Sequence, residues 1–302
     1  MLGSSIARQW FSRRPGDELI VITRDRVDLR DKAATGQLVA EIAPDAIIHA
    51  AAVVGGIAAK LATPTPYLLD NLLLDTSVIS AAIDQRVPEL LYIGSAAMYP
   101  EHYRQPFVES DVLAAPLEPA NEGYAVAKIA ATKLCEYASA QYGLDYRVAV
   151  PSNLYGPNDD FSASHGHLIA ATIGKVHAAK VAGAPSVLIW GDGTARREFT
   201  YSIDLASWLV GQVGRLFEWP AILNLGVGDD RSITEYYELA RDVVGYEGSF
   251  EYDMTRPAGM HQRILDSSVA RTLGWAPMTS LESGMAEVYA SFLAANNKEQ
   301  RI

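Results

Sequence analysis

Ser95, Tyr124 and Lys128 bring together a hydroxyl, a phenol and an ammonium, the groups needed to hold a carbonyl and hand it a proton. Tyr124 and Lys128 stand four apart in Tyr-Ala-Val-Ala-Lys, a stretch without Gly or Pro, so on a helix they share one face. A phenol ordinarily titrates near ~10, and a neighbouring positive charge favours the phenolate, which predicts a lowered value and a tyrosine usable as acid or base. Ser95 closes the apolar run from Glu89 to Gly94, which reads as a buried strand whose C-terminal end opens onto a ligand crevice. There its hydroxyl is placed to orient a substrate carbonyl.

Such a trio needs a scaffold that joins a strand end to a helix face. Leu19 to Thr23, Ala46 to Ala50, Leu90 to Ile93 and Tyr146 to Val150 read as strands, and helices are predicted at Ile6 to Ser12, Lys32 to Ala43, Pro66 to Gln85 and Gly123 to Tyr142. This alternation predicts an α/β, Rossmann-like doubly wound parallel sheet. After Pro151 the pattern turns irregular and rich in Gly, Pro, Asn and Asp, with helical segments returning around Thr234 to Val244 and Leu281 to Ala294. The expected division is residues 1–154 with 198–226 as a dinucleotide-binding Rossmann domain, and 155–197 with 227–302 as a smaller, C-terminal substrate domain. A dinucleotide fold opens on a strand that runs into a glycine-rich turn. Met1-Leu2-Gly3-Ser4-Ser5-Ile6-Ala7 matches only the end of such a turn, so a start set about a dozen residues late, or a truncation, is expected. The neighbours of that missing central strand would then carry unpaired backbone groups.

Composition narrows the function. The 302 residues are 49% hydrophobic and 20% charged, enough for one large or two moderate globular units with ample core. The net charge of -11 argues against nucleic acid or an anionic membrane as the main partner, so any nucleotide must meet a local basic pocket. A single cysteine, Cys135, and no metal-ligand spacing exclude an internal disulfide, predict no structural metal and fit a cytoplasmic location. Arg8, Arg13 and Arg14 precede the first acid, Asp17, a bias that a helix with a basic outer face explains better than a transit peptide does. No stretch reaches the ~20 apolar residues of a membrane span.

Four further blocks fall in order: Gly94-Ser95-Ala96-Ala97-Met98-Tyr99-Pro100, Leu117 to Gly123 leading into Tyr124, Pro151-Ser152-Asn153-Leu154-Tyr155-Gly156-Pro157, and Trp190-Gly191-Asp192-Gly193 before Arg197-Glu198-Phe199. With Val54-Gly55-Gly56-Ile57 they closely resemble the GDP-L-fucose synthase family of extended short-chain dehydrogenases/reductases, from Met1 to about the last dozen residues. The resemblance implies NADP (NADPH) as cofactor, held by Gly3, Arg24, Ala50, Ala51, Tyr124, Lys128, Asn153 and Leu154. Arg24 follows the second expected strand where an NAD-selective site usually has an acid, and a cation there suits the 2′-phosphate of NADP, while Asp25 next to it keeps NAD possible. The resemblance also implies a GDP-linked 4-keto-6-deoxy sugar as substrate, contacted by Asn153, His167, Lys175, Trp190, Arg197 and Arg256, and a homodimer packed through Pro66 to Gln85 and Gly123 to Tyr142. Lys175 stands where the family usually has arginine, and Arg256-Pro257-Ala258-Gly259 replaces Lys-Pro-Asp-Gly.

The implied reaction is hydride transfer to C4, with Tyr124 as proton donor, Lys128 tuning it and Ser95 on the carbonyl oxygen. Related dehydratases follow the serine or threonine with an Asp-Glu pair, whereas this chain has Ala96-Ala97, so dehydration is disfavoured. Fucose synthases also epimerise C3 and C5 with a cysteine two residues after the serine and a distant histidine. His167 matches the histidine, but the cysteine position is Ala97. Cys135 lies seven residues past Lys128, about 10 Å along the helix, and reads as a buried structural thiol, and His165 reads as an ordinary loop residue. The expected activity is C4 reduction without efficient epimerisation. The alternatives are a dedicated reductase of another GDP-linked keto sugar and a non-catalytic Rossmann sensor or scaffold.

Overall fold

A computed structural model describes residues 1–162, 166–255 and 260–299. The first half runs α1 (Leu2–Arg13), α2 (Lys32–Ile42), β1 (Ala46–His49), α3 (Ile57–Ala62), α4 (Pro64–Asp84), β2 (Glu89–Ile93), α5 (Glu122–Tyr142) and β3 (Asp145–Pro151). Next come β4 (Asn153–Tyr155), α6 (Leu168–Ala182), β5 (Ser186–Trp190), β6 (Arg196–Arg197), β7 (Phe199–Tyr201), α7 (Ser202–Gln212) and β8 (Ile222–Leu225). The last part holds β9 (Arg231–Ser232), α8 (Ile233–Val244), β10 (Ser249–Asp253), β11 (Gln262–Arg263), α9 (Ser268–Thr272) and α10 (Leu281–Glu299).

Strands β1, β2, β3 and β8 form one parallel sheet in that order. Side chains alternate across it. Leu90 and Tyr92 face α4 and α5, packing with Ile79, Ala82, Ile129 and Cys135, while Leu91 and Ile93 face α1 and α7, packing with Ile6, Trp10, Leu205 and Leu209. Helices on both faces explain why β2 is apolar at nearly every position and buried throughout. A third apolar cluster joins α6, α8 and α10 through Ile169, Ile173, Tyr236, Val244, Met285 and Val288. Beside it lie the two-stranded β5–β10 pair and the three-stranded β6, β9 and β11 group. Among the described residues no helix is long and apolar enough to cross a membrane.

Two expectations need correction. Leu19 to Thr23 forms no strand: Ile20 and Val21 are 37% and 50% exposed, and a cavity of about 1290 Å³ separates the segment from β1. Extended backbone without a ladder partner gains no inter-strand hydrogen bonds, so its β-branched composition alone does not make it a strand. The stretch after Pro151 is also more regular than its composition suggests. α6 is apolar on nearly every side, which hid its period, and Gly174 within it lets the Phe161 carbonyl come so close that a Cβ would lie 2.4 Å from its oxygen.

Glu198 fastens the segment between β6 and β7 to two distant loops. It is fully buried, its Oε1 accepts the Gly228 N–H at 2.7 Å and its Oε2 accepts the Leu265 N–H at 2.9 Å. Gly226 fits because a Cβ there would sit 2.2 Å from the carboxylate. Burial pushes the Glu198 carboxyl up to about 7, against the pull of those N–H donors. A carboxyl raised in the folded state stabilises below its unfolded value, and that contribution is lost as pH rises through about 7. We expect the native protein to lose about 3 kcal/mol from this group between pH 4.5 and 7, and Glu198→Gln to flatten that slope in urea unfolding. Equal slopes for parent and variant would refute it.

Candidate active site

The end of β2 is shaped for close packing. A Cβ on Gly94 would lie 3.1 Å from both Met98 and Val148, so any side chain there would press on both neighbours. Ser95 follows in extended conformation, and its Oγ accepts the Ala97 N–H at 3.1 Å, opening a single 3₁₀ turn over Ala96–Met98. Tyr124 and Lys128 lie on the first turns of α5, both buried. Lys128 Nζ donates to the Ile93 carbonyl at 3.1 Å and sits 5.9 Å from the Tyr124 ring centre. Sequence spacing and strand end thus meet in one place.

The electrostatics differ from the expectation for Tyr124. Burial drives its phenol well above the ordinary value, the hydrogen bond with Ser95 opposes this, and the negative charge of Asp75 adds to the rise. Lys128 does not reverse the balance because its ammonium is turned to Ile93 and, at 3.7 Å, to Asp75. Tyr124 is therefore held as the protonated phenol. Lys128 itself is pulled down by burial and supported by Asp75.

Three cations on the open side were not all foreseen. Lys60, the fourth residue of α3, donates to Asn121 Oδ1 at 2.8 Å and places its ammonium 4.7 Å over the Tyr124 ring. With Pro64, Tyr67, Gly123 and Tyr124 it lines a cavity of about 150 Å³. Burial, with Arg263 nearby, lowers Lys60 to about 8, and Glu118 opposes the shift. Arg263 pairs with Glu118 at 2.6 Å, and its buried Nε has no hydrogen-bond partner among the described residues. Arg197 is lowered to about 10 by burial and then by Arg263. The only signal for Lys60 was one charge in the otherwise apolar Ile-Ala-Ala-Lys-Leu-Ala, and Arg263 had none, because its partner Glu118 is remote in sequence.

The remaining candidates fall into separate groups. Lys175 holds its ammonium 4.8 Å over the Trp190 ring and donates to Tyr237 at 3.4 Å. His167 stands at the N-cap position of α6 without a side-chain capping bond and pairs with Asp159 at 2.9 Å. Asn153 donates to the Glu198 carbonyl at 3.0 Å, and Leu154 packs against the α1–α7 side of the sheet. Arg256 and His165 lie outside the described residues. Gly3, Arg24, Ala50 and Ala51 all line the cavity of about 1290 Å³, a space above the ~300–1,000 Å³ of ordinary ligand pockets. At its wall α1 begins without a side-chain cap and without an acid in its first turn, and a Cβ on Gly3 would meet nothing within 4 Å. Free N–H groups and the positive end of a helix suit a phosphate, so these residues fit a phosphorylated dinucleotide.

A doubly wound sheet with a strand-end serine and a Tyr-x-x-x-Lys helix defines the class, and the model of the NAD dependent epimerase/dehydratase family matches residues 1–226, so the chain belongs to that family. Within it the affinity is narrower. A GDP-L-fucose synthase from Azorhizobium caulinodans is 40% identical over 283 residues, 94% of this chain and 91% of its own, which puts the chain in the GDP-L-fucose synthase group. Among solved structures, a GDP-6-OMe-4-keto-L-xylo-heptose reductase from C. jejuni superposes with a TM-score of 0.91 at 27% identity, covering 98% of this chain and 95% of that one. A GDP-mannoheptose C4 reductase from Campylobacter jejuni with NADP bound gives 0.88 at 27% identity, covering 97% and 95%.

Arg24 is exposed at the cavity wall, beyond the Leu19 to Thr23 segment. Arg24→Ala should weaken NADPH binding by about tenfold while changing NADH binding by less than about twofold, measured by nucleotide fluorescence titration. Equal losses for the two nucleotides would reassign Arg24 to a structural role.

Proposed function

We propose that this chain is an NADPH-dependent reductase of a GDP-linked 4-keto-6-deoxy sugar that performs the C4 reduction of a GDP-L-fucose synthase without efficient epimerisation at C3 and C5. The observation that carries this reading is the meeting of Ser95, Tyr124 and Lys128 at the end of β2. Residues 1–154 with 198–226 hold the cofactor, and 155–197 with 227–302 hold the sugar nucleotide.

When bound, NADPH supplies the hydride. Ser95 donates to the ketone oxygen, and Tyr124, protonated in its buried setting, gives up its proton as that oxygen gains charge. Lys128 stays charged beside it and holds the cofactor ribose. Lys60, Arg197 and Arg263 offer positive charge to the diphosphate, and Trp190 offers a face for stacking. Ala97 is buried against Tyr124 and Ala125. A methyl group there cannot take a proton from C3 or C5, and His167 engages Asp159.

The test uses purified protein with GDP-4-keto-6-deoxymannose. NADPH should be oxidised, and Tyr124→Phe should retain less than about a tenth of the parent rate while binding NADPH normally. In D2O without NADPH little enzyme-dependent deuterium should enter C3 or C5, and Ala97→Cys should raise it. Rapid labelling by the parent would show that another group serves as base and would restore the full fucose synthase activity.

A cytoplasmic homodimer completes the proposal. Helices α4 and α5 pack side by side and leave Leu69, Leu73, Val126 and Tyr137 exposed, an apolar face of the kind that a second copy covers. Light scattering should give twice the chain mass of 32.7 kDa at micromolar concentration, and a monomer would count against it.

A further inference from the structure

Beneath the reacting groups Lys128 joins a charged cluster whose other members the reduction described above does not use. Asp75, on the buried side of α4, is fully enclosed. Its Oδ1 pairs with His49 Nε2, from the end of β1, at 2.9 Å, and its Oδ2 accepts the Tyr92 hydroxyl, from β2, at 2.5 Å. The same Oδ2 lies 3.7 Å from Lys128 Nζ on α5, and that ammonium rests 4.5 Å over the Tyr92 ring. One carboxylate therefore ties α4, β1, β2 and α5 together directly below Tyr124. Tyr124 and Cys135 are the other titratable groups of α5 that sense its charge.

We infer that Asp75, locked by His49 and Tyr92, is a positioning residue for the reduction: it fixes the direction of Lys128 and balances its charge beside Tyr124. The inference rests on the reading of Ser95, Tyr124 and Lys128 as the reducing trio. Two physical facts carry it. A buried ion pair is expensive to form, and apolar residues of similar volume often stabilise a fold equally well, so stability alone is a poor reason for four polar groups here. Lys128 also has no other acid within ion-pair distance among the described residues, so without Asp75 the burial that already weakens its charge would act unopposed. Burial works to raise the Asp75 carboxyl, yet the hydrogen bonds from His49 and Tyr92 and the charge of Lys128 hold it below its ordinary value, so it acts as an anion. An anion at this place favours the ammonium of Lys128 and the protonated phenol of Tyr124 together, the state from which the phenol gives its proton in the reduction.

The test is Asp75→Asn, which keeps the shape and removes the charge. With GDP-4-keto-6-deoxymannose and NADPH, kcat should fall by about tenfold with KM for the sugar changed by less than about twofold. The alkaline limb of the kcat profile should move down by about one pH unit, because both Lys128 and Tyr124 lose their protons more readily. Asp75→Glu should recover part of both effects. An unchanged kcat and alkaline limb in folded Asp75→Asn would overturn the inference and leave the reductase reading standing. A second measurement does not depend on turnover: the Lys128 side-chain signal in ¹⁵N-lysine NMR, identified with Lys128→Met, should titrate at lower pH in Asp75→Asn. No change there overturns the inference even if the parent reduces none of the ketones, which would by itself sink the functional reading. Should Asp75→Asn fail to fold, Tyr92→Phe removes one donor from the carboxylate and should move the Lys128 titration upward, and a downward or absent shift overturns the inference.

Discussion

The site depends on the parallel pairing of β2 with β3. Ile93 lies opposite Ala149, and the ladder runs one step further as the Gly94 N–H donates to the Ala149 carbonyl at 2.8 Å. Beyond β3, the Ser152 N–H meets the Leu225 carbonyl at 3.2 Å, so three strands finish along one edge. Ser95 and Asn153 leave the sheet at that edge because the register leaves them nowhere else to go. Helix α5 is fastened to the same edge from above by the Lys128 bond to Ile93, which fixes its rotation as well as its distance. A slip of one residue in β2 would turn Tyr92 and Lys128 away from each other.

Sequence periodicity was informative where an element has two faces or two clear ends. Helix α5 is delimited by Gly143 in the left-handed region, and the Tyr124–Lys128 spacing follows from one turn of regular helix, so this half of the site could be read directly. Strands with neighbours on both sides, such as Leu90 to Ile93, were equally legible. The misreadings have a common origin in tertiary context. Leu19 to Thr23 has strand composition and lacks a partner, and α6 is helical with apolar residues almost all round, so composition and period pointed the wrong way in each. The Tyr124 phenol was misjudged for a related reason. Sequence shows that a lysine is near, but not that the lysine faces a buried aspartate from another helix.

The charge distribution resolves an apparent conflict between an acidic protein and an anionic substrate. A net charge of -11 spread over the surface is screened within ~8 Å at physiological salt. Lys60, Arg197 and Arg263 share one acid, Glu118, and sit where water is partly excluded, so their field is screened far less. Burial lowers two of these cations, so they are held charged at a cost that an incoming diphosphate would relieve. On the proposed reading, recognition is local and set by these three cations rather than by the overall charge.

Trp190 gives the molecule a built-in optical reporter. Trp10, Trp219 and Trp275 are buried in the apolar layer beside α1 and α7 and Trp208 is partly buried against them, whereas Trp190 is 41% exposed at the end of β5 with the Lys175 ammonium over its ring. Its exposure should put its emission to the red of the other four. On the proposed reading, a guanine ring laid on Trp190 would displace the cation and quench that red component, so occupancy of the sugar-nucleotide side could be followed by intrinsic fluorescence without a label and without turnover.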